Sequence, residues 1–364
     1  MKNLTYALLT LFISLAGNAT ILTVNNNNPS PGQYSDLQVA IDAANAGDTL
    51  LIHRSPTSYG NATITKQLTL IGEGVLTNKA PLTTDINIGT ILLTFNSTTL
   101  TDASHSKLVG LRIATLNVYE KDATLLNSVD SVSIMYCRLV TVNIKNNVNG
   151  LTITNSMIST VSSGYLYNSV FKYNLIATIS SSNSIGANNL FMNNIIFTRL
   201  SLIGGIVANN VFYCTTSVPF ALLAKNTIFS NNIMYGEITP FVPTDFSTNG
   251  NTSADNKINE NPLFVNPIAF TALFAYSHTS PAAGPFADFH LQAGSPAIGA
   301  GTDGKDLGIY GGSTPWRDGS TTDSRYRYYP LPDAVPVITG ITVQNPVVNE
   351  GGNLQIQLNA TTAP

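Results

Sequence analysis

Four acidic residues, Asp102, Glu120, Asp122 and Asp130, gather ahead of the middle of a 364-residue chain. Paired carboxylates can act as acid and base, or as acid and nucleophile, on a glycosidic bond. Carboxylate oxygens on neighbouring turns can instead hold calcium. Asp102 and Asp122 each fall eleven residues after a recurring strand start, so they could stack with Glu120 beside them as a calcium site, or sit in solvated corner loops. A second group lies near the C-terminus, where Trp316, Arg325, Tyr326, Arg327 and Tyr328 crowd the only tryptophan against arginine and tyrosine. Such side chains suit stacking on a sugar or a partner protein, and they equally suit a belt packed along the body of the molecule. The four histidines, His53, His105, His278 and His290, have no metal-ligand spacing, and Gly294-Ser295-Pro296 is no nucleophile elbow.

The stretch between these groups is informative by composition. From Ser131 to Gly236 there is no Asp or Glu, while seventeen Asn occur. A carboxylate pair on this stretch is therefore impossible. Charged residues make up 10% of the chain, against about 25% in ordinary proteins, yet the hydrophobic fraction of 43% suffices for a core. A net charge of −3 with seventeen Lys and Arg lacks the basic stripe of a nucleic-acid binder. The central cations Lys145, Lys172, Arg199 and Lys225 are spaced 27, 27 and 26, which matches no repeat that could line them up.

The elements that must position these residues are short strands with a period near twenty. Aliphatic starts recur at Ile52, Leu70, Ile91, Leu111, Val132, Leu151, Val170, Leu190, Val211 and Ile228. Steps this regular through β-branched segments predict a coil of strands stacked on itself. Column reading places Asn155, Asn174, Asn194 and Asn232 at one corner and Asn149, Asn168, Asn188, Asn209 and Asn226 at another, with Phe171, Phe191, Phe212 and Phe229 in one stack. Asn tolerates the left-handed backbone of a sharp corner, and its amides can bond from coil to coil as a ladder. Like charges stacked one strand apart would cost roughly 1 to 3 kcal/mol each, so such columns favour neutral amides.

Ahead of the coil, Ser35 and Gln38 form a capping-box pair; Leu37, Ala40, Ile41 and Ala44 share a helical face, and Gly47 is placed to stop the helix. This helix is expected to cover the first open strand edges. Residues 1–19 read as a signal peptide: Lys2, an apolar run from Tyr6 to Ala16, and Gly17-Asn18-Ala19 for cleavage. No run is long enough to span a bilayer. Cys137 and Cys214 fall four coils apart, about 19 Å at strand spacing, beyond the roughly 7 Å reach of a disulfide; two buried thiols are expected. Residues Val337 to Leu358 alternate around Glu350-Gly351-Gly352 as a short β-hairpin.

DLQVAIDAANAGDTLLI (36–52) and SYGNATITKQLTLIGEG (58–74) resemble the opening of secreted right-handed parallel β-helix proteins of the pectin-lyase-like superfamily. NPLFVNP (261–267) and DFHLQAGSPAIGAGTDGKDLGIYGG (288–312) are similar to the end of such domains in Bacteroidetes-type surface proteins. The resemblance implies an all-β, right-handed parallel β-helix over 20–312, with residues 313–364 as an aromatic belt and hairpin tail. Superfamily members include polysaccharide lyases, glycoside hydrolases and adhesins. The acid-free centre favours a secreted, monomeric, non-catalytic adhesin or glycan-contacting scaffold, whose partner is an extracellular polysaccharide or a cell-surface component. The alternative is a lyase or hydrolase built from Asp102 to Asp130 with Arg112 or Arg138. No cofactor is expected apart from the possible calcium.

Overall fold

A computed structural model describes residues 19–30, 32–72, 87–119, 129–181, 187–214, 221–236, 246–267, 288–316, 336–343 and 356–362. The predicted signal peptide, apart from its last residue, lies outside them. The chain forms an all-β parallel solenoid, a β-helix built on one 20-stranded sheet.

Each central coil passes through three parallel ladders. The first consists of three-residue strands such as Ser133–Met135, Thr152–Thr154, Val170–Lys172 and Leu190–Met192. A sharp corner leads into longer strands, Arg112–Tyr119, Arg138–Asn149, Met157–Tyr167 and Leu175–Ser181, which bend midway and so supply both the second and the third ladder. All these pairings are parallel and, apart from one shift between Ile144 and Asn147, in register from coil to coil.

Inward side chains stack into three apolar columns. In the first ladder Leu50, Leu70, Leu108, Ile134, Ile153, Phe171, Phe191, Val207 and Phe229 follow one another, all fully buried. Ile113, Leu139, Ile158, Ile176, Ile196 and Phe212 continue the second, and Leu116, Val142, Val161, Ile179 and Leu200 the third. Strand repetition thus turns one apolar residue per rung into a continuous core.

The coil lengths explain where column reading slips. Between Ser133, Thr152, Val170 and Leu190 the steps are 19, 18 and 20, but the next, from Leu190 to Ile206, is 16. Phe212 therefore leaves the predicted phenylalanine stack; it stands in the second ladder between Ile196 and Met234, and Val207 takes its place. The rings of Phe171 and Phe191 do stack, with centroids 4.7 Å apart. Ile91 belongs to the third ladder and Leu111 to a corner, so neither shares the column of Leu70.

The corner after the first ladder uses two residues. The first has a left-handed backbone: Tyr136, Asn155, Tyr173, Asn193, Asn209 and Asn231, with φ between 47° and 59°. The second points inward: Cys137, Ser156, Asn174, Asn194, Asn210 and Asn232, all buried. Each inward residue accepts a hydrogen bond from the backbone N–H of its counterpart one coil earlier. The series runs from Leu111 N–H on Cys137 Sγ (3.5 Å), through Cys137 on Ser156 Oγ (3.1 Å) and Ser156 on Asn174 Oδ1 (2.9 Å), to Asn232 on Asn256 Oδ1 (3.0 Å). Buried N–H groups that the bend removes from the strand ladder are thereby satisfied. Asn155 takes the left-handed position beside the inward series of its column mates Asn174, Asn194 and Asn232, and Asn209 stands at this corner and not with Asn149, Asn168 and Asn188 at the other. Exposed Asn149, Asn168 and Asn188 do form an amide chain at the other corner, with bonds of 2.7 and 3.2 Å.

The N-terminal helix, α1 (Leu37–Ala43), covers the first coils with Leu37, Ala40 and Ile41 buried. Its cap is Asp36, whose Oδ1 accepts from Val39 N–H at 2.9 Å, and not Ser35. Gln38 instead docks the helix: its Oε1 accepts from Thr63 N–H at 2.7 Å and its Nε2 donates to Asp42. Beyond α1, the Asp48 carboxylate accepts from the N–H groups of Thr20 and Asn45, both at 2.8 Å. Burial pushes this carboxyl up, but the two N–H donors and Lys66 prevail and hold it below its ordinary value. A lowered folded pKa contributes stability above the unfolded value, lost as pH falls through the folded one. Melting temperatures followed into acid should therefore fall less steeply for Asp48→Asn than for wild type.

Cys137 and Cys214 are buried and form no disulfide. Burial pushes the Cys137 thiol up to about 12, so a thiol reagent should label both cysteines only after denaturation. Labelling of the native protein within minutes would contradict the ladder position of Cys137. The tail forms the expected antiparallel hairpin, Pro336–Val343 with Ile356–Thr362.

Candidate functional site: the outer face of the third ladder

The three ladders present three outer faces, and the chain treats each differently. On the second ladder the outward residues Met157, Leu175, Ile195, Val211 and Ile233 are apolar and buried. They are covered by two C-terminal segments, 261–267 with Phe264 and 288–316 with Phe289, Ala297, Leu307, Ile309 and Trp316, which form a second core. The second of these segments runs back along the coils as a strap. Lys257 Nζ donates to Pro296 O, Asn231 to Ala300 O (3.0 Å), Asn209 to Thr302 Oγ1 (3.0 Å) and Asn193 to Gly308 O (3.1 Å). At Tyr173 the phenol accepts from Ser313 and Thr314 N–H, and the Trp316 indole donates to the backbone carbonyl. The left-handed corner residues thus hold the strap at one coil after another. Within it Gly308–Gly312 forms a turn at Ile309-Tyr310, closed by Gly311 N–H on Gly308 O at 3.1 Å.

On the first ladder the outward row reads Val170, Leu190, Ile206 and Ile228 in register, the last two exposed.

The third ladder has a polar outer face. Thr90, Thr115, Thr141, Thr160 and Thr178 stand in register on five successive coils. Two residues further along the last four of these strands, Asn117, Asn143, Ser162 and Ser180 form a second row. Asn143 Nδ2 donates to Asn117 Oδ1 at 2.9 Å, and Thr178 is tied to Thr198 at 2.6 Å. The inward partners of these rows, Leu116, Val142, Val161 and Ile179, are fully buried and fix the strands beneath. Threonine is stiff about χ1, so the face offers hydroxyl and amide groups at strand spacing, about 4.8 Å, with little freedom left to lose on binding.

Of the sequence-predicted site residues, Asp102 pairs with Phe95 in a small antiparallel excursion ahead of the strand Lys107–Val109, and its Oδ1 accepts from Ser104 N–H at 2.8 Å. Glu120 and Asp122 lie outside the described residues. Among those described, no group of three or more His, Cys, Asp or Glu is placed to hold a metal ion. Asp130 sits at the other corner, accepting from Asn149 N–H at 3.3 Å. Arg112 and Arg138 pair in register on the outer side of the second ladder, Arg138 buried. Trp316 is buried in the strap, as the packing alternative for the aromatic stretch requires; Arg325, Tyr326, Arg327 and Tyr328 lie outside the described residues. Among those described, no helix is long and apolar enough to cross a membrane.

Column reading did not single out the threonine face, although its signal is present as Thr-x-Asn or Thr-x-Ser at 115, 141, 160 and 178.

Fold and face together define a parallel β-helix with one outer face strapped and another left polar. No protein-family model matches the chain, and no curated protein matches it. Among solved structures it is similar to the pectin methylesterase from Aspergillus niger, at 15% identity and a TM-score of 0.29 over 66% of this chain and 84% of that one.

Proposed function

We propose that the protein is a secreted, monomeric, non-catalytic scaffold or adhesin that contacts an extracellular polysaccharide or cell-surface component through the outer face of the third ladder. The observation that carries this reading is the in-register pair of rows, threonine beside asparagine or serine, which from Thr141 onward lie on a stretch of sequence without carboxylates. Hydroxyl and amide groups donate and accept at once, which is the pattern that sugar hydroxyls present in return. A rigid array reduces the ordering cost of binding. Charge is not needed for such contact, and the absence of Asp and Glu from Ser131 to Gly236 removes paired-carboxylate catalysis from these coils.

Co-sedimentation with insoluble polysaccharides tests the reading. The wild-type chain should be retained on at least one, and Thr141→Val with Thr160→Val, which removes two hydroxyls and keeps the β-branched shape, should weaken retention about tenfold, equivalent to 1.4 kcal/mol, without lowering the melting temperature by more than a few degrees. Failure of the wild type on every polysaccharide and cell-surface preparation tried, or equal retention of the double variant, would reject it.

A further inference from the structure

At one end of the polar face the regular rows give way to aromatic side chains. The third-ladder pairing between Arg138–Asn149 and Met157–Tyr167 shifts register between Ile144 and Asn147, leaving an extra residue on the earlier strand. Such a bulge re-aims neighbouring side chains and recurs beside functional sites. Around it, Lys145 pairs with Tyr119 one coil earlier and Asn147 with Tyr165 one coil later. Lys145 Nζ lies 5.2 Å from the centre of the Tyr119 ring. Tyr165 is 42% exposed, and its ring lies 6.5 Å from that of Tyr167 with their planes only 17° apart, so the two rings share a common orientation. Asn149, in register with Tyr167, adds its amide on the same coils.

We propose that Tyr165, backed by Tyr167 and flanked by Asn147 and Lys145, is a stacking site for the apolar face of a pyranose ring in an uncharged glycan. The proposal rests on the glycan-contacting reading above and locates its aromatic anchor. An aromatic ring offers sugar C–H groups a large contact area at the cost of two rotatable bonds, while adjacent amides take up the equatorial hydroxyls. Asn147 is placed for the second role by its register opposite Tyr165. The uncharged class follows from the side chains around the ring: one cation, its ammonium set over the Tyr119 ring, and no carboxylate on the strands Arg138–Asn149 and Met157–Tyr167 to hold a bridging metal. An acidic polysaccharide calls for several cations or a bound metal.

The test is titration of the full-length chain with neutral oligosaccharides and, in parallel, uronate-containing ones. Wild type should bind a neutral chain; Tyr165→Ala should weaken binding about tenfold or more, Tyr165→Phe should retain it, and Lys145→Met or high salt should change it less than about twofold. Tyr165 is exposed enough that its truncation leaves the fold intact, which a melting curve checks. Binding unchanged in Tyr165→Ala would overturn the stacking site while leaving the glycan-contacting reading in place. Preference for uronate chains, weakened by salt and by Lys145→Met, would overturn the uncharged class. Wild-type protein that binds neither set would overturn the site and the reading it rests on.

Discussion

Replacing Asn210 with alanine is expected to cost about 3 to 5 kcal/mol, a large fraction of the roughly 5 to 15 kcal/mol that holds an ordinary domain together. The side chain is fully buried. Its Oδ1 accepts from both the backbone N–H and the Nδ2 of Asn194, each at 2.9 Å. Its Nδ2 donates to Phe191 O, Ala208 O and Asn232 Oδ1 at 2.9 to 3.0 Å. Alanine leaves at least two donors on Asn194 and the Phe191 carbonyl without this partner, and each stranded buried group costs about 1 to 3 kcal/mol. Coupling along the ladder adds to the loss. Asn210→Asp separates shape from chemistry, because a carboxylate can accept from Asn194 but cannot donate to the two carbonyls. Its folded pKa must lie above the unfolded value, so this variant should regain stability as pH falls, opposite in sign to Asp48. Asn188→Ala, on the exposed amide chain, should lose only about 1 kcal/mol, the cost of alanine at its left-handed backbone (φ 65°). Chemical denaturation of the three variants decides the matter; a small loss for Asn210→Ala would mean that the ladder is not what holds the corner.

Trp316→Ala is expected to release the strap while sparing the coil. Trp316 is buried against the second core; its backbone N–H donates to Ile309 O at 2.9 Å and its indole to Tyr173 O. Truncating a buried tryptophan costs about 3 to 5 kcal/mol. The effect should be local, since the strap meets the coil on its outside and the ladder columns are completed without it. Hydrogen exchange should show loss of protection at Leu307, Gly308 and Gly311, whose N–H groups are bonded to Ala297, Asn209 and Gly308 carbonyls. Protection at Asn174, Asn194 and Asn210 should persist. Tyr173→Phe, which removes the oxygen that accepts from Ser313 and Thr314, should give a weaker form of the same result. Simultaneous loss of both sets would show that strap and coil unfold as one unit.

The coil was legible in the sequence because a solenoid writes its period directly into the chain, and the asparagine columns announced its corners. The exact column was not, because two adjacent asparagines have different tasks. In Asn193-Asn194, Asn209-Asn210 and Asn231-Asn232 the first takes the left-handed backbone and the second turns inward. Counting at a fixed period merges the two, and the short coil from Leu190 to Ile206 then shifts everything after it. The strap was hidden for another reason. Similarity to the closing stretch of β-helix domains says nothing of where that stretch packs. A local signal was present in the strand openings Met157-Ile158, Leu175-Ile176, Ile195-Ile196 and Val211-Phe212, where consecutive apolar residues face opposite sides of one sheet. Such pairs mean that both faces are covered. The polar face was legible once the bend between the second and third ladders was located, because only then do Thr141 and Asn143 fall on the same side.

The proposed function rests on a rigid, polar sheet face that would hold a glycan without cleaving it. Its most direct test is to incubate the wild-type chain with a panel of soluble and insoluble polysaccharides and to measure, in the same samples, retained protein and released reducing or unsaturated ends. Retention that depends on Thr141, Thr160 and Tyr165, with no ends released above a protein-free control, is the predicted result. Release of sugar ends that rises in proportion to protein and time would contradict it.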